Sequence, residues 1–175
     1  TYTPGMEMSG GSLGQGLPIA VGIALALRLK KNPAFVYNSM SDGELDEGST
    51  WEAAMGAAHH RLSNVICLID INNQQADGPS GKIMGFEPLA DKWAAFGWHV
   101  QRVDGNDLKA VVAAFDVARA LKEDRPRVIL FDTLMGSGVP FLETRDKNHF
   151  IRVDPPEWQQ AIAHVDSTQT AGAMQ

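Results

Sequence analysis

Four acidic side chains crowd a six-residue segment of the sequence, and their spacing raises the question of what balances their charge. Asp42, Glu44, Asp46 and Glu47 lie within "DGELDE", shortly after the apolar stretch "AFVYNSM". Carboxylates this close repel one another unless water solvates them or a cation binds among them. Magnesium is one such cation, since it binds one or two protein carboxylates and completes its shell with phosphate oxygens.

A neutral oxygen ligand could come from Asn72, which follows the next buried run, "NVICLIDI". Asn72 lies 30 positions after Asp42, a separation that accommodates one helix and one strand of ordinary length. Both side chains would then lie at the same edge of a sheet. Gly43 has no Cβ, so the backbone beside Asp42 could approach a diphosphate closely. The residues therefore suggest a site for a metal ion and a diphosphate.

Two other interpretations of the acidic segment remain open from the residues alone. Asp-Gly is the commonest signal of a tight hairpin turn, although a helix rather than a strand is predicted to follow it. Acidic residues are also favoured in the first turn of a helix by its dipole, which accounts for Asp46 and Glu47 better than for Asp42. A calcium-binding loop is excluded, because the sixth position counted from Asp42 is Glu47 rather than Gly, and the twelfth is Ala53 rather than Glu.

Alternating helical and extended patterns along the chain would position these residues. The apolar periodicity predicts helices at Gly11–Lys31, Ser49–Leu62, Leu89–Phe96, Asn106–Leu121 and Pro156–His164. Runs rich in branched residues predict strands at Ala34–Met40, Asn64–Ile71, Trp98–Val103 and Pro126–Gly136. Ser49 and Glu52 have the spacing of a capping box, and Asn106 or Asp107 would cap the fourth helix.

This alternation predicts an α/β fold with a doubly wound, mostly parallel sheet and helices on both faces, connected by right-handed crossovers. Residues 1–165 would form one domain, and residues 166–175 a disordered tail. Ligands of such sheets bind beyond the carboxyl ends of the strands. Three polar segments fall there, namely Asp42-Gly43, Asn72-Asn73 and Met135–Gly138. A ligand site is therefore expected at this edge.

The composition excludes several other classes of function. With 44% hydrophobic and 21% charged residues the chain is globular, and a net charge of −6 without a Lys/Arg stripe argues against nucleic-acid binding. The longest apolar run, Gly16–Leu29, contains Pro18 and is too short to span a bilayer, so no membrane association is expected. A single cysteine, Cys67, rules out an internal disulfide and indicates a reducing compartment. We expect a cytoplasmic protein in which Cys67 is inert core.

The order of these motifs resembles that of a known family. Asp42-Gly43, a helix, a strand and Asn72 resemble the GDG…N signature of thiamine-diphosphate enzymes. The segment "TPGMEMSGGSLGQGLPIAVGIALA", from Thr3 to Ala26, resembles transketolase, as does the later "GSGVPFLE…NH". The similarity extends to about Trp158 and is to the diphosphate-binding half of transketolase, particularly the split kind encoded as two subunits. Such a chain has the thiamine-diphosphate-binding fold.

The resemblance implies particular roles for single residues. Asp42 and Asn72 would bind Mg²⁺, or Ca²⁺ or Mn²⁺, through their side chains, and Gln74 through its backbone carbonyl. Gly43 would contact the diphosphate of thiamine diphosphate. The remaining implied neighbours of the cofactor are Gly11 and Leu13 at its aminopyrimidine, Met135 as an apolar contact, and His149 as a catalytic residue near the diphosphate and the reacting carbons.

Two positions depart from the family pattern. The first Gly of the GDG triplet is Ser41, which is small enough to keep the turn if its φ stays negative. A Lys or Tyr that often follows the last strand is replaced by Ser137, which leaves that contact with the cofactor in doubt. A family histidine that usually precedes the "TPG" turn would fall before Thr1.

The resemblance also implies a partner. In the family a separate pyrimidine-binding module supplies a glutamate to the cofactor and arginines to sugar phosphate substrates. The chain would therefore be one subunit of a heterotetramer with a pyrimidine-binding transketolase subunit, transferring two-carbon ketol groups and inactive alone. Alternatives are a subunit of another thiamine-diphosphate enzyme, such as a deoxyxylulose-phosphate synthase or a 2-oxoacid dehydrogenase, or a non-catalytic assembly subunit of the same fold.

The remaining polar residues have simpler explanations. His59 and His60 are expected at a helix C-terminus, where they interact with the dipole or pack. Glu47 and Glu52 match acids that the family places near its dimer interface. The loop Asp77–Gly81 is typical of a turn, although it follows Asn72 and could cover the cofactor.

Overall fold

The computed structural model describes residues 3–145, 148–150 and 152–172. The first half contains α1 (Gly16–Leu29), β1 (Val36–Ser41), a 3-10 helix (Asp42–Asp46), α2 (Gly48–His59) and β2 (Val65–Ile71). A short hairpin of β3 (Gln74–Gln75) and β4 (Gly78–Pro79) follows. The second half contains α3 (Ser80–Ile83), α4 (Leu89–Ala95), β5 (His99–Asp104), α5 (Leu108–Ala120), β6 (Arg127–Asp132), α6 (Pro140–Glu143) and α7 (Pro155–Gly172).

Four of the strands form one parallel sheet in the order β1-β2-β6-β5. The chain crosses from β1 to β2 through α2, and from β5 to β6 through α5. Both crossovers join neighbouring parallel strands, as expected for βαβ units. The predicted α/β fold with a parallel sheet is therefore confirmed.

Apolar side chains from alternate strand positions form a core on each face of the sheet. On one face, Val65, Cys67, Ile69 and Ile71 of β2 pack with buried residues of α1, α2 and α4. On the other face, Ile66 and Ile129 pack against Ala114 and Ala118 of α5. Because β2 is covered on both faces, it consists almost entirely of apolar residues. The prediction of helices on both faces is confirmed.

The predicted inert cysteine lies in this core. Cys67 is fully buried, and burial raises the pKa of its thiol to about 12. A thiol with so high a pKa forms little of the reactive thiolate at neutral pH.

The two largest reductions from the predicted bounds are at the start of α1 and at the end of β6, and a glycine lies in the turn at each of them. α1 begins at Gly16 rather than Gly11 because Gly14 has a φ of +76°, which is incompatible with a right-handed helix. β6 ends at Asp132 rather than Gly136 because the chain then turns through Gly136, whose φ is also +76°.

The predicted capping box of α2 is wrong. α2 starts at Gly48, its N-cap residue is Glu47, and no side chain caps its first turn. The Ser49 hydroxyl instead donates a hydrogen bond to the backbone carbonyl of Gly14, at 2.9 Å. A hydrogen bond to a residue 35 positions away thus replaces the predicted local cap. By contrast, Asp107 caps α5, since its carboxylate accepts a hydrogen bond from the Lys109 N–H.

The last helix is longer than predicted. α7 continues to Gly172 rather than ending near His164, and the hydroxyls of Ser167 and Thr168 bond to carbonyls one turn earlier. α7 therefore crosses position 165, although the domain boundary and the disordered tail at 166–175 stay predictions, and residues 173–175 lie outside the described residues. Within the described ranges, no helix has the length and apolar character that crossing a membrane requires.

Candidate functional site

The carboxyl ends of β1 and β2 bring the two predicted side-chain ligands to neighbouring positions of the sheet edge. β1 ends at Ser41, whose Cα pairs with that of Asp70 near the end of β2. Asp42 directly follows β1, and Asn72 directly follows β2. The two residues therefore lie at the ends of adjacent parallel strands, where α/β sheets bind ligands.

Asp42 is a completely buried carboxylate, with 0% of the residue exposed. One of its oxygens accepts a hydrogen bond from the Gly43 N–H at 2.9 Å, and the other from the Ser80 hydroxyl at 2.9 Å. The Asn73 N–H also donates to this carboxylate. Burial raises the pKa of Asp42 above its usual value, against the lowering effect of these hydrogen bonds, and the nearby charge of Asp70 raises it further.

No basic side chain neutralises this buried carboxylate within the part of the chain that the structure describes, where every ion pair involves other acids. A buried charge without an oppositely charged partner is costly. Its three donors leave about one of its four lone-pair sites free. A carboxylate of this kind suits a hard divalent cation, so the donor set fits the predicted ion.

The loop after β2 holds the second predicted ligand. The Asn72 Oδ1 accepts a hydrogen bond from the Gln74 N–H at 2.9 Å, and its Nδ2 donates to Asp70 Oδ2 at 2.8 Å. Asn73 takes a φ of +60°, so the chain reverses there into the β3–β4 hairpin. The hairpin leads to Ser80, which is fully buried against Asp42. The ligand roles of Asn72 and of the Gln74 carbonyl stay predictions.

Glu44, the second acid of the acidic segment, is hydrogen-bonded to the start of α1. Its carboxylate accepts hydrogen bonds from the backbone N–H groups of Gly14, at 3.1 Å, and Gly16, which are orphan donors at the start of α1. Burial raises the pKa of Glu44. The acidic segment therefore holds the glycine-rich turn in place. Gly11 and Leu13, the predicted neighbours of the aminopyrimidine, lie exposed in that turn.

Gly43 lies in van der Waals range of the Gln75 side chain. A Cβ on Gly43 would come within 3.4 Å of the Gln75 Cγ. The Nε2 of Gln75 is buried and has no hydrogen-bond partner. An unpaired buried donor requires an explanation, and one beside Gly43 suits an anionic ligand oxygen. The diphosphate contact predicted for Gly43 fits these surroundings and stays a prediction.

The turn after β6 holds Met135, which is half-buried. The Leu134 N–H donates to Asn106 Oδ1 at 2.8 Å, and a Cβ on Gly136 would lie only 2.6 Å from that of Leu142. Gly136 thus lets this turn pack closely against α6. The predicted contact of Met135 with a cofactor is not tested by this packing.

His149 is exposed, and its segment is anchored to the loop after β2. The Asn148 N–H donates a hydrogen bond to the side-chain oxygen of Gln74 at 2.9 Å. Asn148 is buried, and its own Oδ1 has no partner. Asn148 therefore connects the segment of His149, the predicted catalytic residue, to Gln74, one of the predicted cation ligands.

Four polar residues of this edge form contacts that the sequence did not predict, namely Glu44, Asp70, Ser80 and Thr133. Asp70 precedes Asn72 by two positions and so lies on the same face of β2, a signal that was available. Ser80 lies at the end of the loop thought to cover the cofactor. Glu44 and Thr133 act through partners 30 and 63 residues away, which no local pattern reveals.

Comparison with known proteins identifies the family. The family model described as the transketolase, thiamine diphosphate binding domain, matches residues 1–161. An uncharacterized transketolase family protein of Sinorhizobium fredii, y4mO, is 59% identical over 170 residues, which are 97% of this chain and 61% of that protein. The 6-deoxy-6-sulfo-D-fructose transketolase subunit SqwG of a Clostridium species is 42% identical over 164 residues, 94% of this chain and 59% of that protein.

A solved structure agrees with both relatives. Transketolase from Leishmania mexicana superposes with a TM-score of 0.70 and 27% identity, covering 97% of this chain and 30% of that one. Of the two curated relatives, y4mO and SqwG, the chain spans about 60% of the length. Because the family model matches most of the sequence and the fold agrees, the chain belongs to the transketolase family, as its thiamine-diphosphate-binding domain.

Proposed function

We propose that this chain binds a divalent cation and thiamine diphosphate as part of an enzyme that transfers two-carbon ketol groups. The observation that carries the proposal is the Asp42 carboxylate, which is fully buried at the end of β1 and has no cationic partner among the described residues. Its contact with the Asn73 N–H places it beside the loop that carries Asn72. A cation bound there would neutralise the buried charge.

The side chains of Asp42 and Asn72 and the backbone carbonyl of Gln74 would hold Mg²⁺, with Ca²⁺ or Mn²⁺ as substitutes. All three donors are oxygens, which is what hard cations prefer. Gly43 would let the backbone approach the diphosphate, and the unpaired Gln75 Nε2 is a donor beside it. When bound, thiamine diphosphate supplies the nucleophilic carbon and the electron sink that ketol transfer requires.

The other predicted residues would surround the rest of the cofactor. Gly11 and Leu13 would face its aminopyrimidine, and Met135 would form an apolar contact. His149 would handle protons near the reacting carbons. Gly11, Leu13 and His149 are exposed in this chain, so they are available to a ligand or a partner.

A pyrimidine-binding partner subunit would complete the site. SqwG is named as a transketolase subunit, and this chain spans 59% of its length. The name supports a divided enzyme. We propose that the partner supplies a glutamate for the aminopyrimidine and basic residues for sugar phosphate substrates, in a cytoplasmic heterotetramer. On this proposal the isolated chain transfers no ketol group.

Calorimetry with Mg²⁺ and thiamine diphosphate tests the cation site, on the chain and on its mixture with a pyrimidine-binding subunit. Asp42→Ala should weaken cation-dependent binding by more than the roughly 10- to 100-fold that loss of an outer partner of a metal ligand costs. Asp46→Ala is the matched control. Asp46 belongs to the same 3-10 helix but lines a groove with Leu45 and Trp51.

Equal affinity in wild type and Asp42→Ala would remove the ligand assignment. A ketol-transfer assay of the mixture addresses the reaction. Transfer of a two-carbon unit between sugar phosphates supports a transketolase. Binding without transfer favours a different thiamine-diphosphate reaction or a non-catalytic assembly role.

A further inference from the structure

Asp70 joins the ends of two strands through its carboxylate. One of its oxygens accepts a hydrogen bond from Asn72 Nδ2 at 2.8 Å, and the other from the Thr133 hydroxyl. Asp70 is the second-last residue of β2 and Asn72 directly follows the strand, and the hydrogen bond between their side chains places them together at the sheet edge. Thr133 follows β6, and its N–H donates to the Ile71 carbonyl at 3.0 Å. The carboxylate is therefore held between two neighbouring strand ends.

The hydrogen-bonding capacity of the Asp70 carboxylate decides which end of the Asn72 amide faces it. A carboxylate can only accept hydrogen bonds, whereas a carboxamide has a donor end and an acceptor end. Only the NH₂ group of Asn72 can therefore bond to Asp70. The Oδ1 of Asn72 must point the other way, where the Gln74 N–H already contacts it. A cation accepts only this oxygen as a ligand, because the amide nitrogen has no free lone pair.

The Thr133 hydroxyl fixes Asp70 in turn. By donating to one carboxylate oxygen, it leaves the other oxygen in position for Asn72. The three side chains thus form a directed chain of hydrogen bonds from Thr133 and Asn72 into Asp70. Neither Thr133 nor Asp70 needs to contact the ion for this chain to set the direction of the Asn72 oxygen.

We propose that Asp70 is a positioning residue, which orients the Asn72 carboxamide so that its oxygen faces the cation site. The inference rests on the proposed function, since it assigns Asp70 a task only if a cation binds at Asn72. It predicts that the essential property of residue 70 is to accept, rather than to donate, the hydrogen bond from residue 72.

An exchange of the two side chains tests this directly. In Asp70→Asn, residue 70 gains an NH₂ group, which faces residue 72 when the Thr133 hydroxyl donates to the new amide oxygen. Asn72 must then flip its amide and turn its nitrogen toward the ion. We expect cation affinity to fall about 10- to 100-fold, the usual cost of losing an outer partner of a metal ligand.

In the double variant Asp70→Asn/Asn72→Asp, the NH₂ group of residue 70 donates to a carboxylate at residue 72. The second oxygen of that carboxylate faces the ion, so most of the lost affinity should return. Asn72→Asp alone places two carboxylates against each other, and their repulsion should disturb the site. A residue needed only for stability would show no recovery in the double variant.

The measurement is Mn²⁺ binding by the full chain in the presence of thiamine diphosphate, followed by electron paramagnetic resonance. Side-chain amide spectra without metal give a second signature, because the Asn72 NH₂ resonance should shift in Asp70→Asn. Asp132→Asn is the matched control. Asp132 ends β6 at the same edge, but its carboxylate bonds to Arg102, so Mn²⁺ affinity should not change.

The outcomes separate the two proposals. If the wild-type chain binds no Mn²⁺ with thiamine diphosphate, the proposed function fails, and the inference fails with it. If the wild type binds but Asp70→Asn, with its NH₂ group facing residue 72 in the amide spectra, binds equally well, only the inference is overturned. The same holds if the double variant stays as weak as Asp70→Asn. Loss in the single variant with recovery in the double variant supports both.

Discussion

The two ends of the parallel sheet each bury a charged side chain, but they stabilise it in different ways. Asp42 lies at the carboxyl end and Arg127 at the amino end, with 0% and 2% of the residue exposed. Neither forms an ion pair within the described part of the chain. Burial favours the neutral form of each side chain. It therefore raises the pKa of Asp42 and lowers the pKa of Arg127.

Arg127 finds its partners within the chain. Its Nη2 donates to the Leu121 carbonyl at 2.7 Å and its Nη1 to the Arg125 carbonyl at 3.4 Å. Leu121 is the C-cap of α5, the end of a helix that favours positive charge. The guanidinium also lies over the Phe35 ring, 5.9 Å from its centroid. Helix carbonyls and an aromatic face together offset much of the cost of burying this cation.

Asp42 has no comparable source of opposite charge. Its donors are a hydroxyl and two backbone N–H groups, which are neutral. The buried charge at the amino end therefore serves the fold, whereas on the proposed function the one at the carboxyl end would be neutralised by a bound cation. Substitutions at the two ends should therefore affect different properties.

The largest effect on stability should come from Arg127→Met. This change removes the 2.7 Å hydrogen bond to the Leu121 carbonyl and the longer one to Arg125. A bond to a charged group is worth about 1.5 to 3 kcal/mol, so the free energy of unfolding should fall by about the value of one such bond. Urea denaturation measures it. Cation affinity should not change, because the residue lies at the opposite end of the sheet. A large loss of cation affinity in a folded variant would break the division between the two ends.

Arg119→Met is the matched control for this variant. Arg119 is an exposed cation near the end of α5. Its substitution should change the free energy of unfolding by less than about 0.5 kcal/mol.

A smaller effect is expected at the carboxyl end from Gly14→Ala. The φ of +76° costs a residue with a Cβ about 1 to 2 kcal/mol, and that Cβ would meet the Ser49 hydroxyl at 2.4 Å. The free energy of unfolding should decrease accordingly. Gly22→Ala in α1 is the control, since a Cβ there meets nothing within 4 Å, and it should stabilise by about 0.5 to 1 kcal/mol. Equal changes in the free energy of unfolding of the two variants would contradict the close packing of the Gly14 turn.

The smallest effect is a pH dependence at the amino end. Burial lowers the pKa of His99 below its usual value of 6.5, partly opposed by Glu123, while Arg125 and Arg127 lower it further. As the pH falls, His99 therefore takes up its proton at a higher pH in the unfolded chain than in the folded chain. Stability should decrease as the pH falls from 6.5 through the lowered pKa of His99.

Unfolding measured across this pH range checks the prediction, and His99→Gln should reduce the slope. Arg127→Met should raise the pKa of His99 in an NMR titration, because it removes one of the nearby positive charges. An unchanged His99 titration in Arg127→Met would show that the two groups are not coupled.

The fold could be predicted largely from the sequence because its signals are local. The run "NVICLIDI" predicted a strand covered on both faces, and β2 is such a strand. Asp107 could be assigned as a cap because its partner, the Lys109 N–H, is two residues away. The positions of Asp42 and Asn72 at one edge followed from the alternation of helices and strands.

The details of the site could not be predicted, because its contacts join distant segments. Ser49 has the spacing of a capping residue, yet its hydroxyl bonds to Gly14. The acidic segment looked like a solvated turn or a cation site, and one of its members, Glu44, instead holds the start of α1. Only the folded arrangement decides between a neighbour in sequence and one across the sheet edge.

The hydrogen bond between Gln74 and Asn148 has a consequence for experiments that dissect the enzyme. Gln74 would contribute its main-chain carbonyl to the ion, whereas its side-chain oxygen holds the Asn148 N–H next to His149. A substitution such as Gln74→Leu removes the second contact and retains the first. It offers a separation-of-function variant, in which cofactor loading and the placement of the histidine can be studied independently.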